Sequence, residues 1–227
     1  MQYKTKKLLI YQKLREEILN GQYEFGEKLV ISRLAKRFES SEIPIREAMN
    51  QLEAEKLIEF KPHTGAIVST LSLKDIQEIF ELRVELEGLA TRLAAEALTK
   101  ETLKELREIL DDSRVAFKNK KYERFEELNI EFHLKIYSEC DNQLLFRTIK
   151  DLWSNTNRYP SLFKENDSHI KLSMQEHEEI YSALTNKDGM LAENSMIRHK
   201  ARAGKEILRV KQWDFYNRLN GLIEENK

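Results

Sequence analysis

The sequence predicts a mainly α-helical protein in two parts, and three observations carry that expectation. The chain of 227 residues holds only 7 Gly and 3 Pro, while the helix-favouring Leu, Glu, Lys and Ala abound. Apolar residues recur at helical spacing along most of the chain. Near residue 57 that period gives way to two short β-like runs, and from Ser72 long helical spacing resumes. A hydrophobic fraction of 41% suffices for one large core or two modest ones.

Lys6 to Asn20 is a helix by period, with Leu9, Ile10, Leu14 and Ile18 over a charged face. Asn20-Gly21 supplies its C-terminal signal, and Gly26 punctuates the loop that follows. Ile31 to Phe38 is a shorter helix presenting Ile31, Leu34, Ala35 and Phe38. Ser40-Ser41 makes the turn, and Ser41 suits the N-cap of the next helix. Pro44 falls at the third helical position, where a missing N–H costs nothing. Ile45, Ala48, Met49 and Leu52 then face inward, and Glu42, Arg46, Asn50 and Glu53 face outward. A recognition helix needs that division between a packing side and a side for base edges and phosphates. Leu57 to Phe60 and Ala66 to Thr70 read as a small hairpin with Lys61 to Gly65 at its tip, where Gly65 supplies backbone freedom. Residues 1–71 therefore have the layout of a winged helix-turn-helix, and its partner is double-stranded DNA.

The second part covers residues 72–227. Ser72 to Asp75 is similar to a capping box, with Asp for the usual Glu, and the helix it opens runs to about Leu98. Thr99 caps another, to about Lys118. Amphipathic segments follow at Tyr122–Glu139, Gln143–Asn155, Ile170–Thr185 and Gly189–Trp213. The expectation is an all-helical bundle of six or seven helices.

Composition narrows the function classes. No run of 18 apolar residues occurs, so no membrane span is expected. The basic start, MQYKTKKLLIYQ, has too short an apolar stretch for a signal peptide. Cys140 is alone, which excludes an internal disulfide framework and makes a reducing cytoplasm the simplest setting. Net charge is −1, and residues 1–70 carry 12 Lys and Arg against 10 Asp and Glu. DNA binding then demands locally clustered cations and two copies per site, a homodimer, rather than global charge. Arg46 is the leading candidate for a base or phosphate contact. Arg33, Lys36, Ser41, Thr64 and Gly65 are candidates for positioning on the backbone. For Arg33, Lys36 and Arg37 an ordinary solvated face stands as the opposing reading. Glu42 either accepts from a cytosine amino group or pairs with Arg46 one turn on and presets it. His63 touches a phosphate or sits in a solvated tip, and His169 reads as a surface residue.

The stretch ISRLAKRFESSEIPIREAMNQLEAEKLIEF, with HTGAIV, resembles the GntR family of bacterial transcription regulators. Leu34-Ala35, Ser41, Pro44, Ile45, Arg46-Glu47-Ala48-Met49, Leu52-Glu53, Leu57 and Gly65 carry the match. The chain departs from the family pattern at Glu42, where Arg is common, and at Lys56, where Gly is common. The second part looks like the FCD branch of that family, named for the C-terminal domain of the regulator FadR. Arg83-Val-Glu-Leu-Glu87 with Leu93-Ala94-Ala95-Glu96, Asn129-Ile-Glu-Phe-His133, Glu176-His177-Glu-Glu-Ile180 and Met196-Ile-Arg-His199 are similar to its motifs.

The resemblance implies a homodimeric, ligand-responsive regulator, a repressor, on a palindromic operator. It also implies a divalent metal, zinc or nickel in first place, held by Asn129, His133, His177 and His199. The residues are compatible with this. Asn129 and His133 share a helix face, and His177 and His199 fall on the inward stripes of their helices. The opposing reading makes each His a hydrogen-bonded core residue. Arg83 lies within the stripe of Ile76, Phe80, Leu86 and Ala90, and a buried guanidinium demands an anion. That anion is either Glu87 or the carboxylate of a small effector that also touches the metal, with Arg158 and Tyr159 as helpers. Trp153 and Phe163 read as packing. Two rival readings stay open: a metal enzyme built on the bundle, and the same regulator with an apolar effector and no metal.

Overall fold

The computed structural model describes residues 5–19, 21–69, 72–156, 163 and 166–224, without the side chains of 155, 156 and 211–224. The chain divides into two compact units, with the boundary between Ser72 and Leu73.

The first unit runs α1 (Lys6–Leu19), β1 (Lys28–Leu29), α2 (Ile31–Arg37), α3 (Glu42–Ala54), β2 (Ile58–Lys61) and β3 (Gly65–Val68). Its core gathers Ile10, Leu14 and Ile18 of α1, Leu34 of α2, and Ile45, Ala48, Met49 and Leu52 of α3, together with Leu57, Ile58 and Val68. These are the stripes expected from the period, except that Leu9, expected in the stripe of α1, is 50% exposed. The wing is a three-stranded antiparallel sheet in the order β1-β3-β2. The β1 strand is an addition to the expected hairpin: Lys28 and Leu29 pair with Ile67 and Ala66. Two residues are too few to show an alternation, so nothing in the sequence marks them.

Helix ends explain two local features. Ser41 sits at the N-cap of α3 with extended backbone, yet its side chain makes no capping hydrogen bond. A capping hydroxyl takes the N–H of the second or third helical residue, and Pro44 at the third has none to give. Pro44 thus removes one of the two donors such a cap can use, and the cap expected of Ser41 is not made. At the other end, Lys56 adopts φ 57, and the Leu57 N–H donates back to the Leu52 carbonyl at 3.0 Å. That left-handed closure favours glycine, the residue that the resemblance leads one to expect here.

Ion pairs tie α1 to the rest of the unit. Arg37 donates to both carboxylate oxygens of the buried Glu17 and, at 2.9 Å, to the Tyr23 hydroxyl. Arg37 is thus a structural clamp rather than part of a free solvated face. Tyr11 and Arg15 together bind Glu55 just past the C-terminus of α3.

The second unit holds α4 (Leu73–Ala97), α5 (Lys100–Lys118), α6 (Tyr122–Ser138), α7 (Gln143–Thr156), α8 (Asp167–Thr185) and α9 (Gly189–Glu224). Among the described residues it is all helical and has six helices, within the expected range. Thr99 caps α5 by accepting from Thr102 N–H at 3.1 Å. Two boundaries differ from the expectation. Asn166 caps α8 by accepting from His169 N–H, which starts the helix before Ile170, and α9 continues past Trp213 to Glu224. The core includes Leu106, Leu110, Phe125, Phe132, Ile136, Ile149, Ile180, Leu184 and Met196. α4 and α9 lie against each other closely enough that a Cβ on Gly204 would stand 2.7 Å from the Phe80 ring. No helix of the described residues is long and apolar enough to cross a membrane.

Candidate metal centre and nucleic-acid interface

Three helices of the bundle each send one histidine inward. His133 comes from α6, His177 from α8 and His199 from α9, with 0%, 1% and 3% of their surface exposed. One ring nitrogen of each lies within 4.8 Å of the others. Asn129, one turn before His133 on α6, is buried as well. Phe132 and Trp153 pack against these rings, so the cluster sits in an apolar wall.

The neighbours fix which nitrogens carry protons. Glu176 Oε2 lies 2.6 Å from His199 Nδ1, and a carboxylate only accepts, so the proton is on Nδ1 and a lone pair is on Nε2. The Tyr137 hydroxyl donates to Glu87 at 2.5 Å, which leaves its oxygen to accept from His133 Nδ1 at 3.3 Å. His133 therefore also has its lone pair on Nε2. These two Nε2 atoms stand 3.1 Å apart, and His177 Nε2 is buried without a hydrogen-bond partner. A hydrogen bond between His133 and His199 would need one of the two rings to be doubly protonated. Burial first, then Lys200 and the neighbouring histidines, holds the His133 pKa well below the ordinary value, and burial does the same for His177 and His199. Converging lone pairs in a dry site call for a cation.

A second layer orients the first. Arg202 of α9 grips both oxygens of Glu176 at 2.7 and 2.6 Å, and bonds Ser173 at 2.9 Å and His169 Nδ1 at 3.0 Å. A carboxylate behind a histidine is the usual way of setting a metal ligand's tautomer. His169, expected at the surface, is 7% exposed. Burial, with Arg202 against it, lowers its pKa to about 4. Arg202, which it meets in the interior, is on α9, so nothing local to α8 marks it.

On the other side lies a charged hub. Glu87 is fully buried and receives Arg83 Nε at 2.6 Å and Lys200 Nζ at 3.1 Å, besides Tyr137. Burial raises the Glu87 pKa, but the two cations and the two hydrogen bonds outweigh it and bring it to about 2. Trp153 lies under both cations, 4.5 Å from the Arg83 guanidinium and 4.6 Å from Lys200. The internal partner expected for Arg83 is thus present. Arg158 and Tyr159 lie outside the described residues.

Sequence reasoning missed Glu176, Arg202, Tyr137 and Lys200. Tyr137 was within reach, since it stands four residues after His133 on the same helix face. Glu176 and Arg202 act between helices, 23 and 26 residues from their partners, a spacing that carries no local signal.

In the first unit, Arg33, Lys36, Ser41, Glu42, Arg46, Thr64 and Gly65 are all exposed. Arg46 donates to Glu42 at 3.0 Å, the i,i+4 pair that was one of the two readings of Glu42. Lys6, Lys36, Ser40, Ser41 and Pro44 line an open groove at the start of α3. His63 holds a left-handed φ of 62 at the exposed wing tip.

Comparisons with known proteins agree with this division. Residues 6–68 match the model of bacterial regulatory proteins of the gntR family, and residues 78–202 match the FCD domain. The chain is 28% identical to the HTH-type transcriptional repressor RspR of Escherichia coli K12 over 203 residues, 89% of each chain. It is 28% identical over 184 residues to the gluconate operon transcriptional repressor of Bacillus licheniformis, covering 77% of this chain and 74% of that one. Among solved structures, E. coli McbR/YncC superposes with a TM-score of 0.71 at 25% identity, covering 92% of this chain and 99% of that one.

Proposed function

The chain belongs to the GntR family of bacterial regulatory proteins, in the branch that carries an FCD domain, and we propose that it acts as a homodimeric, ligand-gated repressor. It is a DNA-binding transcription regulator and not an enzyme, as its family and relatives are. In the proposal, two winged units read the two halves of a palindromic operator, and the bundle holds a divalent metal and a small carboxylate.

The observation that carries the metal is the meeting of three buried histidine ring nitrogens within 4.8 Å of one another, one of them, His177 Nε2, without a hydrogen-bond partner. The donor set fits. Two nitrogens held by one ion at about 2.0–2.1 Å stand roughly 3.0–3.4 Å apart, and His133 and His199 Nε2 are 3.1 Å apart. Imidazoles suit zinc or nickel. Asn129 completes the set with a neutral oxygen, so no carboxylate of the chain among the four cancels the ion's charge. Such an ion supplies a Lewis-acidic centre for an effector carboxylate. Arg83, preset by Glu87 and Trp153, is the proposed second anchor of that carboxylate.

An effector moves operator affinity only if it binds two arrangements of the dimer unequally. The test is operator affinity, on duplexes selected from a random pool, with and without a panel of small carboxylates. Metal-loaded wild type should lose affinity with at least one carboxylate, and His177→Ala should bind DNA without responding. An equal response in the variant, or none in wild type, contradicts the proposal.

A further inference from the structure

The recognition helix carries one side chain that neither packing nor charge explains. Ile43, the second residue of α3, is 69% exposed. It stands between Glu42 and Pro44, and Arg46 and Asn50 lie one and two turns on, all on the outward side. The unit's apolar core is complete without it: Ile45, Ala48, Met49 and Leu52 each have no exposed surface. Nothing in the packing of the unit asks for an apolar side chain at this exposed position.

The N-terminal residues of a recognition helix meet base edges in the major groove. There the thymine C5-methyl is the apolar feature, and apolar side chains contact it. The neighbours of Ile43 carry the chemistry for other bases: an arginine can pair with guanine and a glutamate with the cytosine amino group, and the mutual Arg46–Glu42 pair at 3.0 Å holds both beside Ile43. Isoleucine offers no hydrogen bond, so its information is limited to methyl against no methyl.

We propose that Ile43 is a specificity-determining residue that reads the 5-methyl group of a thymine in the operator, next to the base pairs addressed by Glu42 and Arg46. The proposal rests on the DNA-binding reading of α3 and deepens it.

The test uses the full chain. Duplexes enriched from a random pool by wild type are resynthesised with each thymine replaced in turn by deoxyuridine, which removes only the methyl. Burying one methyl is worth about 0.8 kcal/mol, so wild type should lose about fourfold in affinity for each contacted thymine. Ile43→Ser should bind the thymine duplex about as weakly as wild type binds the deoxyuridine duplex, and should not distinguish the two. Because Ile43 is exposed, the thermal midpoint of Ile43→Ser should match wild type. Wild type indifferent to every deoxyuridine overturns the role of Ile43. So does an undiminished preference for thymine in Ile43→Ser. A pool in which no sequence is enriched overturns the reading of α3 itself, and is told apart from the other two by that lack of enrichment.

Discussion

The two units handle charge in opposite ways. In the winged unit the chemistry lies at the surface: Arg46 and Glu42 pair across α3 with 59% and 49% of their side chains exposed. In the bundle it lies inside: Arg83 and Glu87 pair with 6% and 0% exposed. An exposed pair is worth little and is easily exchanged for a new partner, which suits groups that must trade one another for DNA. A buried pair is costly to break, because what remains is an uncompensated charge. That suits groups that must hold a site in one shape. The same i,i+4 spacing therefore leaves an exchangeable pair in one unit and fixes a frame in the other.

The largest effect that sharpens this contrast is expected at Glu87. Glu87→Ala leaves Arg83 and Lys200 buried against each other, and should cost about 3–5 kcal/mol of stability, read by urea unfolding. Loss below about 1 kcal/mol, the range of an exposed pair, would erase the difference between the units. At the surface, Arg46→Ala should leave stability unchanged. It should weaken operator binding by roughly 1–3 kcal/mol if Arg46 reads a base, or reduce the salt slope by about one contact if it holds a phosphate. Titration of affinity at several salt concentrations separates these, and an unchanged affinity with an unchanged slope removes Arg46 from the interface.

Arg37 tests the case between. Its side chain is 47% exposed while its partner Glu17 is 2% exposed, so Arg37→Ala should cost roughly 1–2 kcal/mol, less than a fully buried pair, since water reaches one end. Equilibrium unfolding of the variant measures it. The smallest effect is expected at Lys56, where the left-handed φ costs a non-glycine residue roughly 1–2 kcal/mol. Glycine takes part of that back through its freedom in the unfolded chain. Lys56→Gly should raise the unfolding midpoint slightly, and a lowered midpoint would mean that the Lys56 side chain makes a contact of its own.

The contrast also decides what the sequence could tell. The stripes of α1, α2 and α3 were legible because a helix shows its buried face in its period, and the reader's residues lie next to one another on α3. His133, His177 and His199 were legible as inward-facing from the helical period, whereas their convergence was expected only from the family resemblance, because 44 and 22 residues separate them and only the bundle closes the gap. Glu176, next to His177 in the chain, turns to a different helix: it meets His199 on α9, where it sets the tautomer that leaves Nε2 bare. The strand at Lys28 and Leu29 and the missing cap at Ser41 escaped for local reasons: one is too short to alternate, and the other has one of its two possible donors removed by Pro44.

The buried frame has its central test in metal titration of the stripped protein, followed by calorimetry with zinc and with nickel. At pH 7.5 wild type should take one ion per chain, while His177→Ala should bind far more weakly and keep its affinity for DNA. Burial lowers the pKa of all three histidines. Their neutral, ligating form thus persists in the folded chain below about pH 6.5, where the unfolded chain takes up protons. Stability should fall as pH drops below that value, since the unfolded state then binds more protons, and metal should protect against the fall while it stays bound. One ion per chain, lost with His177, is the predicted result. No binding by wild type, or equal binding by His177→Ala, would contradict it.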